Sequence, residues 1–398
     1  MFEKKADIVV AGGGIAGVCA AISASRNNAK VILIEKTIWL GGLATCGLIN
    51  IYEPLCDGNG HQVTFGLSEE LLHRSFFYGP GNIPENWQDA RNAPRSGRLH
   101  CTFSPASMVL SLDEMLEEAG VEIWLDTLII GTESDGNKLK SVTVANKSGT
   151  GKISAEVFID ASGDADLAFL SGAEVHLGGN KLASWAVERN SGESKNMLSD
   201  GIIYMAMHGT AGESCVFPPG IDGRMMTEFT LTGRKRYREM LKKTYSEGTG
   251  DRCNHYPLLV PFMAEFRTTR CFKGRFALDD GMQWRRFEDS IGLAADWRKP
   301  GFVWEIPYRT LLSEKFDNLL AAGRCSASRG DAWEITRVIP IAAMTGEVAG
   351  LAGVMSLDQN ITPAELSHIE LGKKLTSKHH FVLHFEDLGL NQCLRSTL

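Results

Sequence analysis

Apolar residues change their spacing twice near the start of the chain. Ile8–Ala11 is an unbroken apolar run that stops at Gly12, Gly13 and Gly14, the pattern of a strand buried on both faces. Over Ile15–Arg26, small and apolar residues fill most positions, which predicts a helix packed closely on several sides. A second apolar run, Val31–Ile34, leads into Glu35. Strand, glycine turn, helix and strand therefore follow one another directly.

Residues 37–54, TIWLGGLATCGLINIYEP, read as a glycine-punctuated loop, and the irregular stretch to about residue 97 is interrupted by the helix-spaced SEELLHRSFF. SPASMVLSLDEMLEEAG is an amphipathic helix with a Ser104-Pro105 start and a Gly120 stop. Three strand-like segments follow, VEIWLDTLIIGTES, KLKSVTVANKSG and KISAEVFIDASGD, with the turn SDGN between neighbours. Residues 166–300 lose this periodicity and are richer in Met, Arg and aromatic side chains. The chain then returns to a short apolar strand ending at Gly323, a polar loop, and a helix of small residues from near Val338. The pattern predicts an α/β fold: a Rossmann-like parallel sheet with a β-meander, built from residues 1–165 and 301–398. An inserted α+β substrate or cap domain, 166–300, splits it, and a tail closes the chain.

The turn carries the chemistry. Gly12, Gly14 and Gly17 meet the spacing G-x-G-x-x-G. Gly12 allows the tight turn off the strand, Gly14 lets a pyrophosphate approach the backbone, and Gly17 lets the helix pack on the sheet. The helix N-terminus presents free N–H groups and a positive dipole end to the phosphates. Glu35 stands 18 residues after Gly17, where a carboxylate accepts hydrogen bonds from ribose hydroxyls and repels a 2′-phosphate. That argues against NADP, while NAD and FAD stay equally open on these residues alone.

Charge and cysteine content narrow the class. With 41 basic against 48 acidic residues the net charge is −7, which argues against a nucleic-acid surface over the whole molecule. One basic segment, GRKRYREMLKK at residues 233–243, reads as a solvated helix face. The nine cysteines include no C-x-x-C pair, so neither a disulfide scaffold nor a zinc site is expected, and no metal is called for. No apolar signal segment precedes the first strand, and no unbroken apolar run of about 18 residues follows. The expectation is a cytoplasmic protein with reduced thiols and no membrane partner.

GGGIAGVCAA, LIEK, LGGLAT, EEAGVEIWLDTLIIG, VFIDASGDADLAFLSGA, EFRTTRCFKGRFALDD, WEIPYRTLL and NLLAAGRCSASRGDAWEITRVIPIAAMTGEVAG span most of the chain. In that order they resemble the FAD-dependent oxidoreductases of the glutathione reductase-like flavoprotein superfamily, closest to the group related to the fumarate reductase flavoproteins. The resemblance implies FAD, held noncovalently because no histidine lies beside the GG loop. It also assigns positions: Gly12, Gly14, Ile15, Ala16 and Gly17 at the pyrophosphate, and Glu35 with Lys36 at the adenosine ribose. Gly41, Gly42, Leu43, Ala44 and Thr45 would pass beside the ribityl chain, with Ile129 at the adenine through its backbone. Ala161, Ser162 and Gly163 would form a second nucleotide-side turn. Gly323 and Arg324 would meet the ribityl phosphate end, and Arg337 and Val338 the flavin ring. Many relatives have an acid where this chain has Arg324, which makes Asp331 a second ribityl candidate. A helix starting at Val338 aims its positive end at the ligand, favouring negative charge on the ring edge of reduced flavin.

The flavin supplies redox chemistry, so the protein must hold a substrate carbon near N5 and move protons. Arg267 and Arg270, three apart beside Glu265, read either as a clamp for a carboxylate or carbonyl or as an internal ion-pair cluster. Tyr308 and His100 are the proton-carrier candidates. The expected activity is hydride transfer between a small polar organic molecule and flavin N5, with the second electron partner and oligomeric state unspecified. A tRNA-modifying or RNA-associated flavoprotein is the alternative, resting on the basic run, and a flavin-sensing regulator is a third reading.

Overall fold

The computed structural model describes residues 2–53, 55–83, 101–181, 184–192, 197–199, 202–208, 216–217 and 219–390. The mixed α/β architecture follows from the apolar runs. Five short strands form a parallel sheet in the order Leu319–Ala321, Val157–Asp160, Ile8–Ala11, Val31–Ile34 and Glu122–Trp124. Four of the five, Glu122–Trp124 excepted, are buried along their whole length, as the continuous apolar runs required. The register places Ala11, Ile34, Asp160 and Ala321 in one row. The segments after them therefore leave from the same, carboxyl edge of the sheet, where open α/β sheets form their ligand crevice.

A second sheet, Phe2–Lys5, Gly149–Ser154, Lys138–Asn146 and Leu128–Asp135, is the expected meander, antiparallel except for its first pair. Two of the strand-like segments split between the sheets. VEIWLDTLIIGTES breaks at Asp126, whose φ of 48° turns the chain out of the parallel sheet and into the meander. KISAEVFID divides at Ala155 and Glu156, its first part in the meander and its second in the parallel sheet. Phe2–Lys5 is a further strand without a sequence signal, since it is short, polar and mostly exposed.

Two helices with small residues cross at backbone contact beneath the parallel sheet. Ile15–Arg26 packs on Ile339–Asp358, and a Cβ added at Gly346 would lie 2.1 Å from Ala16 O, one at Gly350 2.2 Å from Ala20 O. Ser23 Oγ donates to Glu347 O at 2.7 Å across the same seam. Ile339–Asp358 is, among the described residues, the helix long and apolar enough to cross a membrane, yet 89% of its apolar window is buried inside the fold. It is a core helix, and its buried Glu347 is satisfied by the Leu67 N–H at 2.6 Å and by His379 Nδ1 at 2.6 Å.

Between the two parts of the parallel sheet lies an antiparallel sheet, Met197–Ser199, Ile202–His208, Ser184–Asn190 and His255–Leu259. The helix Gly223–Ser246 reaches it through Tyr237 and packs Phe229 on Phe266. Buried Glu188 accepts from Tyr237 OH at 2.9 Å and faces His255 Nε2 at 3.1 Å. The basic run falls on the outer face of this helix, where Lys235 pairs with Glu239 and Lys243 with Glu247.

The helix crossing yields the first prediction. Gly346→Ala places a methyl inside the Ala16 carbonyl contact, so the melting temperature should fall by the equivalent of about 1–3 kcal/mol, the usual cost of overpacking. Thermal unfolding measures it, and an unchanged or higher midpoint would show that the helices separate freely.

Candidate active site

The carboxyl edge of the parallel sheet opens into a cleft. Its floor is the first turn. Gly12 has φ 99°, and a Cβ there would strike Ala161 O at 2.6 Å, so the turn exists only because the residue has no side chain. At Gly14 the nearest atoms to an added Cβ are 4.0 Å away, so a side chain there would occupy the cleft itself. Gly14 caps Ile15–Arg26 without a side-chain bond, leaving first-turn N–H groups to serve a ligand.

Glu35 sits 4% exposed at the rim, and its two oxygens accept from Gly13 N at 2.7 Å and Thr37 N at 2.8 Å. A carboxylate has about four acceptor positions, so lone pairs remain for a diol. The loop beyond it lies across the turn, with Gly41 N donating to Gly13 O at 2.8 Å and Gly41 and Gly42 both at positive φ. Leu43, Ala44 and Lys36 also line the cleft, as do Ile15, Ala16, Ile129, Ala161, Ser162 and Gly163. Gly323 and Arg324 close the far side, and Gly323 N donates to Thr345 Oγ1 at 2.9 Å. Arg337 and Ile339 bring the start of the long helix to the remaining end. The site is thus a continuous trough with glycine turns along one wall and a helix N-terminus at one end.

Four expected cofactor positions lie elsewhere. Gly17 is a packing residue, its missing Cβ only 1.8 Å from Gly12 O. Thr45 turns inward and donates to Leu40 O. Val338 is the helix cap, and Ile339 after it faces the cleft. Asp331 pairs with Arg298 at 2.9 Å and Lys299 at 3.3 Å, which removes it as a ribityl partner.

The catalytic candidates also separate. His100 lies outside the described residues. Tyr308 is 2% exposed and donates to Pro363 O at 2.9 Å; burial pushes its phenol far up, so it is a core residue and not a proton donor at the cleft. Arg270 is 7% exposed, bonded to Asp166 at 2.6 Å and to Asp164 O at 2.9 Å, and stacked over Phe169. Its fork is spent on the protein. Arg267 differs: its hydrogen bond runs from the backbone N–H to Asn180, and the guanidinium has no partner among the described residues.

Sequence reasoning missed the charge network at the rim. Arg324 donates to Gly163 O at 2.6 Å, to Phe266 O, and to Asp164 at 2.8 Å. Asp164 also accepts from Thr269, and Lys36 stands 3.9 Å from Asp164 and 3.8 Å from Asp166. Burial works against the Asp164 carboxylate, but Arg324 and Lys36 hold it below its ordinary value. Burial and the charge of Asp164 push Asp166 up to about 6.

The chain is similar to known proteins. The family model for FAD dependent oxidoreductases covers residues 7–189 and 188–375, and the chain belongs to that family. It is an oxidoreductase, and FAD is its cofactor. No curated protein matches the chain. Among solved structures, a geranylgeranyl bacteriochlorophyll reductase-like protein from Thermoplasma acidophilum aligns at 11% identity and TM-score 0.50, covering 95% of this chain and 84% of that one. CabE, an aromatic hydroxylase from angucycline biosynthesis, aligns at 12% identity and TM-score 0.50, over 98% and 72%. Both likenesses concern the fold.

Glu265, 5% exposed, offers a direct check on this region. Burial pushes its carboxyl up to about 9, although Trp185 N donates to it at 2.8 Å and Arg267 is nearby. The unfolded chain releases this proton near 4.5 and the folded protein near 9, so between those values the unfolded state binds fewer protons. Stability then falls as pH rises, by at most about 1.4 kcal/mol per pH unit for one proton. Glu265→Gln keeps the acceptor for Trp185 N and removes the slope. Melting temperatures at about pH 5.5 and 8.5 should therefore show the wild type losing ground to the variant at the higher pH. Parallel profiles would mean that the carboxyl ionises normally.

Proposed function

We propose that the chain holds FAD noncovalently along the trough and transfers a hydride between a small polar organic substrate and flavin N5. The observation that carries this reading is the convergence, at one sheet edge, of Gly12–Gly14, Glu35, Gly41–Gly42, Ala161–Gly163, Gly323 and the start of Ile339–Asp358. When bound, FAD supplies the hydride exchange. First-turn N–H groups of Ile15–Arg26 meet the pyrophosphate, and the free lone pairs of Glu35 meet the adenosine ribose. The positive end of Ile339–Asp358 and the Arg337 guanidinium favour negative charge at the ring end. Arg267 is the cation left to grip or polarise a substrate, whereas Arg270 ties residues 164–166 to the segment 266–272.

Within the family, the order of motifs supports a place near the fumarate reductase-related flavoproteins. Residues 166–300 serve in this reading as a substrate cap on the nucleotide-binding part. The RNA-associated reading gains nothing from the structure, because the basic run is an exposed helix face with internal ion pairs.

Anaerobic mixing of the yellow protein with a panel of sugars, hydroxy acids and amino acids tests the function by loss of flavin absorbance. With an active substrate, Arg267→Lys should slow flavin reduction on the order of a hundredfold, the cost of misplacing a gripped group, while melting temperature and FAD content hold. A lower melting temperature with an unaltered reduction rate per bound FAD would make Arg267 structural.

A further inference from the structure

A second cleft adjoins the cofactor trough. Its walls include His176, Thr268, Arg329, Trp333 and Glu334. The partition between the two is a pair of contacts. Trp333 Nε1 donates to Arg324 O at 3.0 Å, and Glu334 accepts from Arg337, while Arg324 and Arg337 line the trough.

Charge in this cleft is unbalanced. Glu334 is the carboxylate on its described wall, and it is committed to Arg337. Arg329 is exposed, with Nη2 2.6 Å from His176 Nε2. Burial and then the Arg329 charge hold His176 below its ordinary value, so the imidazole is favoured in its neutral form and does not compensate the charge of Arg329. Beside Thr268 stands Arg267, half-buried, its guanidinium unpartnered among the described residues. Burial and then the charge of Arg337 pull it below its ordinary value, and Glu334 and Glu265 partly offset them, so these groups share one field. Arg337 Nε is itself buried without a hydrogen-bond partner. Glu334 is thus taken by Arg337, and neither Arg329 on the wall nor Arg267 beside it has a carboxylate partner among the described residues, an arrangement that suits an oxyanion.

The rest of the wall suits a small organic body. Leu177 is 57% exposed and lies on the cleft with Trp333. A Cβ at Gly179 would meet nothing within 4 Å, so open backbone faces the space there. We propose that this cleft binds the carboxylate of a small organic-acid substrate, with Arg267 and Arg329 as its counter-charges and Leu177 and Trp333 against its apolar part. This rests on the reading that the Arg337 end of the trough is where the substrate reacts.

Isothermal titration calorimetry tests it, with benzoate and lactate as probes, benzamide and lactamide as neutral controls, and FAD content recorded for every sample. The wild type should bind at least one acid and neither amide. Arg329→Ala, an exposed change, and Arg267→Gln should each weaken that binding roughly tenfold to a hundredfold, the range for losing a hydrogen bond to a charged group. FAD-loaded protein that binds no acid, binds acid and amide alike, or binds acid unchanged in both variants overturns the proposal. Charge-selective, arginine-dependent binding in protein that carries no FAD would sink the cofactor reading and leave the carboxylate site standing.

Discussion

The molecule depends on one close contact between backbones far apart in sequence. Gly346 and Gly350 let Ile339–Asp358 lie against the Ala16 and Ala20 carbonyls of Ile15–Arg26. That contact fixes the start of the later helix beside the first glycine turn, and with it Gly323, whose N–H is held by Thr345, the residue immediately before Gly346. Every wall of the trough contributed by the last third of the chain is set by this crossing. Small residues at the seam are required because a methyl at either glycine would meet a carbonyl oxygen and not a movable side chain.

A second constraint is electrostatic. Lys36, Asp164, Asp166, Arg270 and Arg324 alternate in sign around the rim of the trough and link the first nucleotide strands to the 266–272 segment. Arg324 and Arg270 are nearly buried, and Nε and Nη2 of each donate to residues 163–166, which ties the two sides of the rim together. Arg267, by contrast, has no guanidinium partner among the described residues and feels the charges of Arg337, Glu334 and Glu265. Assignment of roles among these arginines follows from their partners, not from their spacing in EFRTTR.

What the sequence made legible was local. The run Ile8–Ala11, the three glycines, the terminal acid Glu35 and the caps at Ser104 and Gly120 each encode their conformation within a few residues, and each is where it was expected. Sheet membership was not legible, because Glu122–Trp124 and Leu128–Asp135 read as one strand and part company at a single positive φ at Asp126. Side-chain partners separated by many residues were equally hidden. Tyr308 finds its acceptor at Pro363, and Arg324 finds its acid at Asp164 on another strand's turn. Periodicity reports which face is buried, not what lies against it.

The central claim is that this glycine-lined trough holds FAD without a covalent bond. Heating or acidifying the purified protein and identifying the released nucleotide tests it directly, alongside the affinity of the Glu35→Ala variant. The account predicts one FAD released per chain, and weaker binding in the variant by about 1–3 kcal/mol, the loss of charge-assisted hydrogen bonds to the ribose. Release of NAD, no nucleotide, flavin that stays attached to the denatured chain, or an unchanged affinity in the variant would contradict it.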